Sequence, residues 1–276
     1  MCGIAGLINL RGEKVPRINR GLRVMNALQE HRGPDDDGVW VDEKEFIGLA
    51  HRRLSIIDLS SGGRQPMLGL NGAVITYNGE IYNFLELRQQ LSAHWQFRTN
   101  SDTETILAAY EHYGYDCVDH LRGMFAFAIW DPRKHVLFCA RDRFGIKPFY
   151  HMQVGDTFYF ASEIKALMPF LPEVNTDPAG LVEYLTFQYT IGANTLFQDI
   201  RQLEPAHTLV VSGGRYQTKR YWDVSYDINL DRSPAYFENR LRELLDDSVR
   251  VHMRSDVPIG SYLSGGIDSS LIAILA

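Results

Sequence analysis

Gly3 to Leu10 is apolar almost without a break, which reads as a buried strand starting nearly at the first atom of the chain. Ile18, Leu22, Met25 and Leu28 then recur at helical spacing behind Pro16, as in an amphipathic helix. Short strand-like runs follow at Phe46–His51 and Ala73–Tyr77. Asn83 with Glu86 three residues on forms a capping-box pattern, and Phe84, Leu87 and Leu91 give that helix its apolar face. Ser101 with Glu104 repeats the device and opens a helix through Ile106 and Leu107 that stops at Gly114. Met124–Trp130 and His135–Ala140 flank Asp131-Pro132-Arg133-Lys134, a turn with Pro at its second position, and so predict a β-hairpin. Phe149–Met152 and Phe158–Ala161 predict another around Gly155. Strands outnumber helices and short turns join them, which favours antiparallel sheets over a parallel one.

The pattern changes after about residue 200. A hairpin around Ser212-Gly213-Gly214 and the polar stretch Asp223–Ser233 read as a connector. Phe237, Leu241, Leu244, Leu245 and Val249 then make a strong helical stripe. Val257–Leu263 reads as an apolar strand, Ser264–Ser270 as a Gly-rich loop, and Leu271–Ala276 as the opening turns of another helix. Helix, strand, loop and helix in that order begin a parallel α/β domain, and the sequence stops within its last element. The expected division is a first domain at 2–205, a connector at 206–235 and the start of a second domain at 236–276.

A length of 276 residues fits two domains, and 45% apolar with 22% charged residues is ordinary for a globular chain. Lys and Arg number 28 against 34 Asp and Glu, a formal net charge of −6. With no basic run, that argues against a nucleic-acid partner held by bulk positive charge. The longest purely apolar run, Met124–Trp130, falls far short of the roughly 18 residues of a membrane span. No basic segment leads into an apolar one at the N-terminus, so a secretory signal is not expected and a cytoplasmic location is. Cys2, Cys117 and Cys139 are odd in number and too scattered for a disulfide framework. Asp35-Asp36-Asp37 is expected to be a solvated turn, because consecutive residues on a loop rarely converge on one ion. The nine histidines show no metal-ligand spacing, so no metal site is expected.

Cys2 is the first candidate for chemistry. If Met1 is removed, one residue carries both a thiol and an α-amine. A free thiol has a pKa near 8.5, and an α-amine at about 7.7–8.0 can serve as its local base. Taken alone, Cys2 reads equally as a small residue buried at a strand start.

The wider sequence adds to this. Met-Cys-Gly-Ile-Ala-Gly at 1–6, His-Arg-Gly-Pro-Asp-Asp-Asp-Gly at 31–38, Arg-Leu-Ser-Ile-Ile-Asp at 53–58 and Tyr-Asn-Gly-Glu-Ile-Tyr-Asn at 77–83 occur in order. Ser-Asp-Thr-Glu at 101–104, Gly-Met-Phe-Ala-Phe at 123–127 and Arg-Asp-Arg-Phe-Gly-Ile-Lys-Pro at 141–148 follow. Together they closely resemble the class II glutamine amidotransferases of the asparagine synthetase family, over nearly the whole chain. The resemblance implies an α+β fold, the N-terminal nucleophile hydrolase αββα sandwich of two antiparallel sheets between helix layers. It also implies that the mature chain begins at Cys2.

The same resemblance implies roles residue by residue. Cys2 would attack the side-chain amide of glutamine, and Asn78 (side-chain amide) with Gly79 (backbone N–H) would hold the oxyanion. Arg53 would grip the substrate α-carboxylate, Glu80 and Asp102 would face its α-ammonium, and Leu54, Ser55, Ile56 and Ile57 would offer backbone groups. Asn78-Gly79 also reads as a type I′ hairpin turn, Glu80 as a solvated charge and Asp102 as a first-turn helix acid. Cys117 and Cys139 read as structural.

Ser264-Gly265-Gly266-Ile267-Asp268-Ser269-Ser270 is the second chemical signal. Glycines and small hydroxyls ahead of a helix present N–H groups to phosphate, without the Gly-Lys-Ser/Thr ending of a Walker loop. The string resembles the pyrophosphate loop of ATP pyrophosphatases. That implies ATP with Mg2+ at Leu263, Ser264, Gly265, Gly266, Asp268 and Ser269, while glutamine hydrolysis needs no cofactor. The activity implied is glutamine-fed, ATP-dependent amidation of aspartate, yielding AMP and pyrophosphate. A different carboxylate acceptor stays open, as do a homodimer and an inactive glutamine-sensing module.

Overall fold

The computed structural model describes residues 1–228 and 231–276. The chain divides into two units, Met1–Asp223 and Val224–Ala276.

The first unit begins with β1 (Gly3–Asn9), α1 (Ile18–Leu28), β2 (Asp36–Val41), β3 (Ile47–Arg53), β4 (Met67–Leu68) and β5 (Val74–Ile81). Next come α2 (Phe84–Leu91), α3 (Asp102–Tyr113), α4 (Cys117–His120), β6 (Gly123–Asp131) and β7 (Val136–Arg141). It ends with β8 (Tyr150–Val154), β9 (Thr157–Ala161), α5 (Pro178–Phe187), β10 (Arg201–Gln202), β11 (His207–Ser212) and β12 (Arg215–Arg220). The strands form two six-stranded sheets, in the orders β10-β8-β9-β1-β3-β2 and β12-β11-β7-β6-β5-β4. The ladders within both are antiparallel.

Strand periodicity decides which side chains meet. On β1, Ile4 and Ile8 enter a core between the sheets, whereas Ala5 and Leu7 face α1. On β6, Ala126, Ala128 and Trp130 join that middle core, whereas Phe125, Phe127 and Ile129 pack under α2, α3 and α4. The result is helix, sheet, sheet, helix, with Phe125, Phe127, Phe138 and Tyr110 held against the helices and Trp130, Phe149, Phe158 and Phe160 in the middle core. Small residues serve the middle layer at close approaches: a Cβ on Gly6 would come within 2.4 Å of the Phe160 ring.

Several expectations need correction. The hairpin assigned to a connector is β11–β12, which extends the second sheet through β11–β7 pairing. Asp36 and Asp37 open β2 instead of lying in a turn, because they pair with Arg53 and Arg52 of β3. Asn83 stands at the start of α2 but makes no side-chain cap. Its amide instead ties the loop before β6, donating to His120 O and accepting from Arg122 N, both at 2.9 Å. Ser101 does cap α3. Glu104 does not return the bond to Ser101; its carboxylate accepts from Trp95, Arg98 and Thr99.

The second unit holds α6 (Pro234–His252) and α7 (Ile267–Leu275). No strand forms over 257–263, since a strand needs a hydrogen-bonded neighbour and the described residues supply none. Among the described residues no helix is long and apolar enough to cross a membrane.

Candidate active site

Antiparallel pairing sets Gly3 opposite Arg52, so Cys2 and Arg53 are neighbours at one end of the sandwich. On β5, Asn78 and Glu80 share a face with Val74, which lies in the middle core. These inner faces end together in a cavity of about 140 Å³. Of the residues expected around glutamine, Cys2, Arg53, Leu54, Ile56, Ile57, Asn78, Gly79, Glu80 and Asp102 line it. Ser55 does not, and its N–H is committed to Asp35 Oδ2 at 2.7 Å.

The Cys2 side chain is half-buried. Its sulfur lies 3.4 Å from the Leu54 N–H, which donates to it, and 3.6 Å from Leu54 O. Burial, with the Asp102 charge, pushes the thiol pKa up, although the Leu54 hydrogen bond, the Met1 ammonium and Arg53 oppose it. The resting group is therefore a thiol that needs a base. Arg32 Nε donates to Cys2 O at 2.9 Å and is itself held by Glu163 at 3.0 Å, which fixes the N-terminal backbone.

Arg53 is buried, and its guanidinium donates to Ser60 O at 3.0 Å, to Ile57 O at 3.4 Å and to Asp58 O. These carbonyls aim the fork without neutralising it, so a ligand carboxylate suits the cavity. Gly63 makes room, since a Cβ there would lie 2.0 Å from Nη2.

Asn78 and Gly79 lie within β5 opposite Ala126 and Phe125, which removes the hairpin-turn reading. A Cβ on Gly79 would stand 2.1 Å from Met124 O, so only glycine lets β6 pair here. Asn78 Nδ2 is buried and makes no hydrogen bond. A buried amide donor without a partner is costly, and a ligand oxygen in this cavity would satisfy it.

Asp102 is buried at the start of α3, and its Oδ2 accepts from Tyr77 OH at 2.8 Å and Ile81 N at 3.0 Å. Burial raises its pKa against those bonds. Glu80 is half-buried, and burial together with the nearby Asp102 raises its pKa to about 7 while Lys147 opposes. The cavity thus combines an acidic pair, a guanidinium, a thiol and a free amide donor. That set suits an α-amino acid with a side-chain carbonyl.

Lys147, Gln65 and Thr103 also line the cavity and were not singled out by the sequence. Gln65 accepts from Tyr77 N at 2.7 Å and donates to Thr103 at 3.2 Å, clamping β5 to α3. Lys147 lies inside the quoted 141–148 motif, where its charge was the available signal.

In the second unit, Gly266 precedes α7 and no side chain caps the helix, so its first N–H groups are open to an anion. Gly265 has φ of 84°, and Ser264 and Ser269 hydroxyls stand 3.0 Å apart. Leu263 and Asp268 are exposed beside them.

Residues 1–222 match the family described as glutamine amidotransferase domain. The chain belongs to that family. Residues 240–276 match the family described as asparagine synthase. Asparagine synthetase [glutamine-hydrolyzing] 1 of Bacillus subtilis is 41% identical over 100% of this chain and 44% of its own length. Amidase chry2 of Gibberella zeae is 36% identical over 99% of this chain and 42% of its own. The chain therefore spans under half the length of these curated relatives. Glutamine phosphoribosylpyrophosphate amidotransferase from B. subtilis superposes with a TM-score of 0.57 at 20% identity. That match covers 83% of this chain and 50% of the other, and it establishes a common fold.

Proposed function

We propose that the Met1–Asp223 unit hydrolyses glutamine at Cys2, with the mature chain beginning there. The α-amine of Cys2 takes the thiol proton as Sγ attacks the side-chain amide carbon. Asn78 Nδ2 and the Gly79 N–H hold the resulting oxyanion, Arg53 the α-carboxylate, and Glu80 with Asp102 the α-ammonium. The main chain of Leu54, Ile56 and Ile57 frames the ligand. The C–N bond breaks, the ammonium form of the base returns its proton, and ammonia leaves a thioester on Cys2. Water activated by the same amine cleaves the thioester, giving glutamate and restoring the thiol. The observation that carries this reading is the unpartnered buried amide of Asn78 in the wall of the cavity that Cys2 lines.

Ammonia formed this way would feed ATP-dependent amidation of aspartate through an acyl adenylate. The match to asparagine synthase over 240–276 and the open helix start behind Gly265-Gly266 support it. Leu263, Ser264, Asp268 and Ser269 would complete the phosphate loop, with Mg2+ accompanying ATP. An acceptor other than aspartate is the second reading, favoured by the relative named amidase.

Cys2→Ala should abolish glutamate release from glutamine while ammonia-driven amidation by the complete protein continues. Glutaminase activity surviving in that variant would sink the thiol assignment. Offering aspartate and other carboxylates with ATP and ammonia then decides the acceptor by which one yields AMP.

A further inference from the structure

Lys147 is buried, yet it lines the cavity that holds Cys2. Its backbone is rigidly placed: the N–H donates to Asp142 Oδ2 at 3.0 Å and the carbonyl accepts from Arg141 Nε at 2.8 Å. Asp142 Oδ1 also takes Phe144 N at 3.1 Å and Ile146 N at 3.0 Å, so the whole 142–147 turn is tied to one carboxylate. The ammonium, by contrast, makes no hydrogen bond or ion pair with any described residue. The stem is buried while Nζ stays open to the cavity that Lys147 lines, so its charge is held at the site and not sealed in the core.

The charges around it are specific. Glu80, Cys2 and Asp142 attract the ammonium, and Arg32 and the Met1 amine repel it. Arg53 and Asp102 act on the same thiol from the other walls. We propose that Lys147 is a positioning residue for glutamine hydrolysis, its unpaired ammonium biasing the Cys2 thiol towards thiolate and the α-amine towards free base. This rests on the glutaminase reading above. A fixed cation acts on both groups in the useful sense, because it stabilises the anion and penalises the protonated amine. Repulsion from Lys147 lowers the pKa of the Met1 amine, one residue ahead of the Cys2 nitrogen, in the chain that still carries Met1.

The test compares wild type, Lys147→Met and Lys147→Arg in chains running from Cys2 to Ala276, the start verified by intact mass. Alkylation of Cys2 by iodoacetamide is followed from about pH 6 to about pH 9, since the thiolate is the reacting form. Cys117 and Cys139 are fully buried, so the rate reports Cys2. Lys147→Met removes the charge at nearly constant volume and should fold. It should move the alkylation midpoint up by about one pH unit, roughly a tenfold slower reaction near neutrality. Its kcat for glutamine should fall in parallel with little change in KM, and Lys147→Arg should restore both. Unchanged midpoints in all three proteins would overturn the proposal, and so would equal shifts in both variants, which would indicate packing instead of charge. The alkylation profile needs no glutamine, so a wild type that failed to hydrolyse glutamine would refute the proposed function separately.

Discussion

Cys2 illustrates how far single residues could be read from the sequence. Its chemistry was legible because thiol and prospective amine share one residue, and the structure adds why a base is needed: burial raises the thiol pKa. With Met1 attached the Cys2 nitrogen is an amide and accepts no proton, so intact mass of active protein should show a chain starting at Cys2. Full glutaminase activity in a preparation retaining Met1 would refute the amine as base. Ser55 and Lys147 mark the limit, since which backbone N–H is spent elsewhere and which cation is left unpaired are tertiary facts. Glu80 gives a sharper test. Its carboxyl is raised from 4.5 to about 7 in the folded chain, chiefly by burial. Below the lower value both states are protonated, so nothing is lost. Between the two the unfolded chain ionises first, so stability falls as pH rises through this window and levels off above about 7. Glu80→Gln should therefore match wild type in melting temperature near pH 4 and exceed it near pH 8. An equal difference at both pH values would contradict the burial penalty.

At the scale of elements, periodicity found the long strands and helices, while end signals were less dependable. Both capping-box patterns marked true helix starts, yet the Asn83 amide is recruited by the distant loop at 120–122 and the Glu104 carboxylate by the loop just ahead of its own helix. Glu104 shows what is gained. Its nearly buried carboxylate accepts from Trp95 Nε1 at 3.1 Å, Arg98 N at 2.9 Å, and Thr99 N and Oγ1 each at 2.8 Å. These donors also hold its pKa below the ordinary value despite burial. Glu104→Ala would strand them and should cost about 3 kcal/mol in urea unfolding. Ser101→Ala removes only one cap bond, to Thr103 N at 3.2 Å, and should cost about 1 kcal/mol. A Glu104→Ala penalty no larger than that of Ser101→Ala would show that the carboxylate is not what anchors the 95–99 loop to α3. The strand expected at 257–263 failed for the complementary reason: an apolar run specifies burial, but a strand exists only with a partner.

At the scale of the molecule, the sandwich was legible because alternating positions in β1, β5 and β6 assign each side chain to one of two cores. Strand order and the extent of the second sheet were not, because no local signal says that β11 pairs with β7. That pairing carries the first unit to Asp223. Its three core clusters and the whole lining of the Cys2 cavity come from residues before 224. The second unit differs. Leu241 is 59% exposed, Ile267 87% and Ile274 80%, so its helices leave much of their apolar surface in water. At about 25 cal/mol per Å², a segment with so little burial contributes little to holding itself folded. Residues 1–223 expressed alone should therefore melt in one cooperative transition and hydrolyse glutamine with kcat within about twofold of the 276-residue chain. In that longer chain, amides of α6 and α7 should exchange with deuterium well before those of β1, β5 and β6. Loss of glutaminase activity on removing 224–276, in a fragment that still melts cooperatively, would place part of the catalytic apparatus in the second unit and overturn this division.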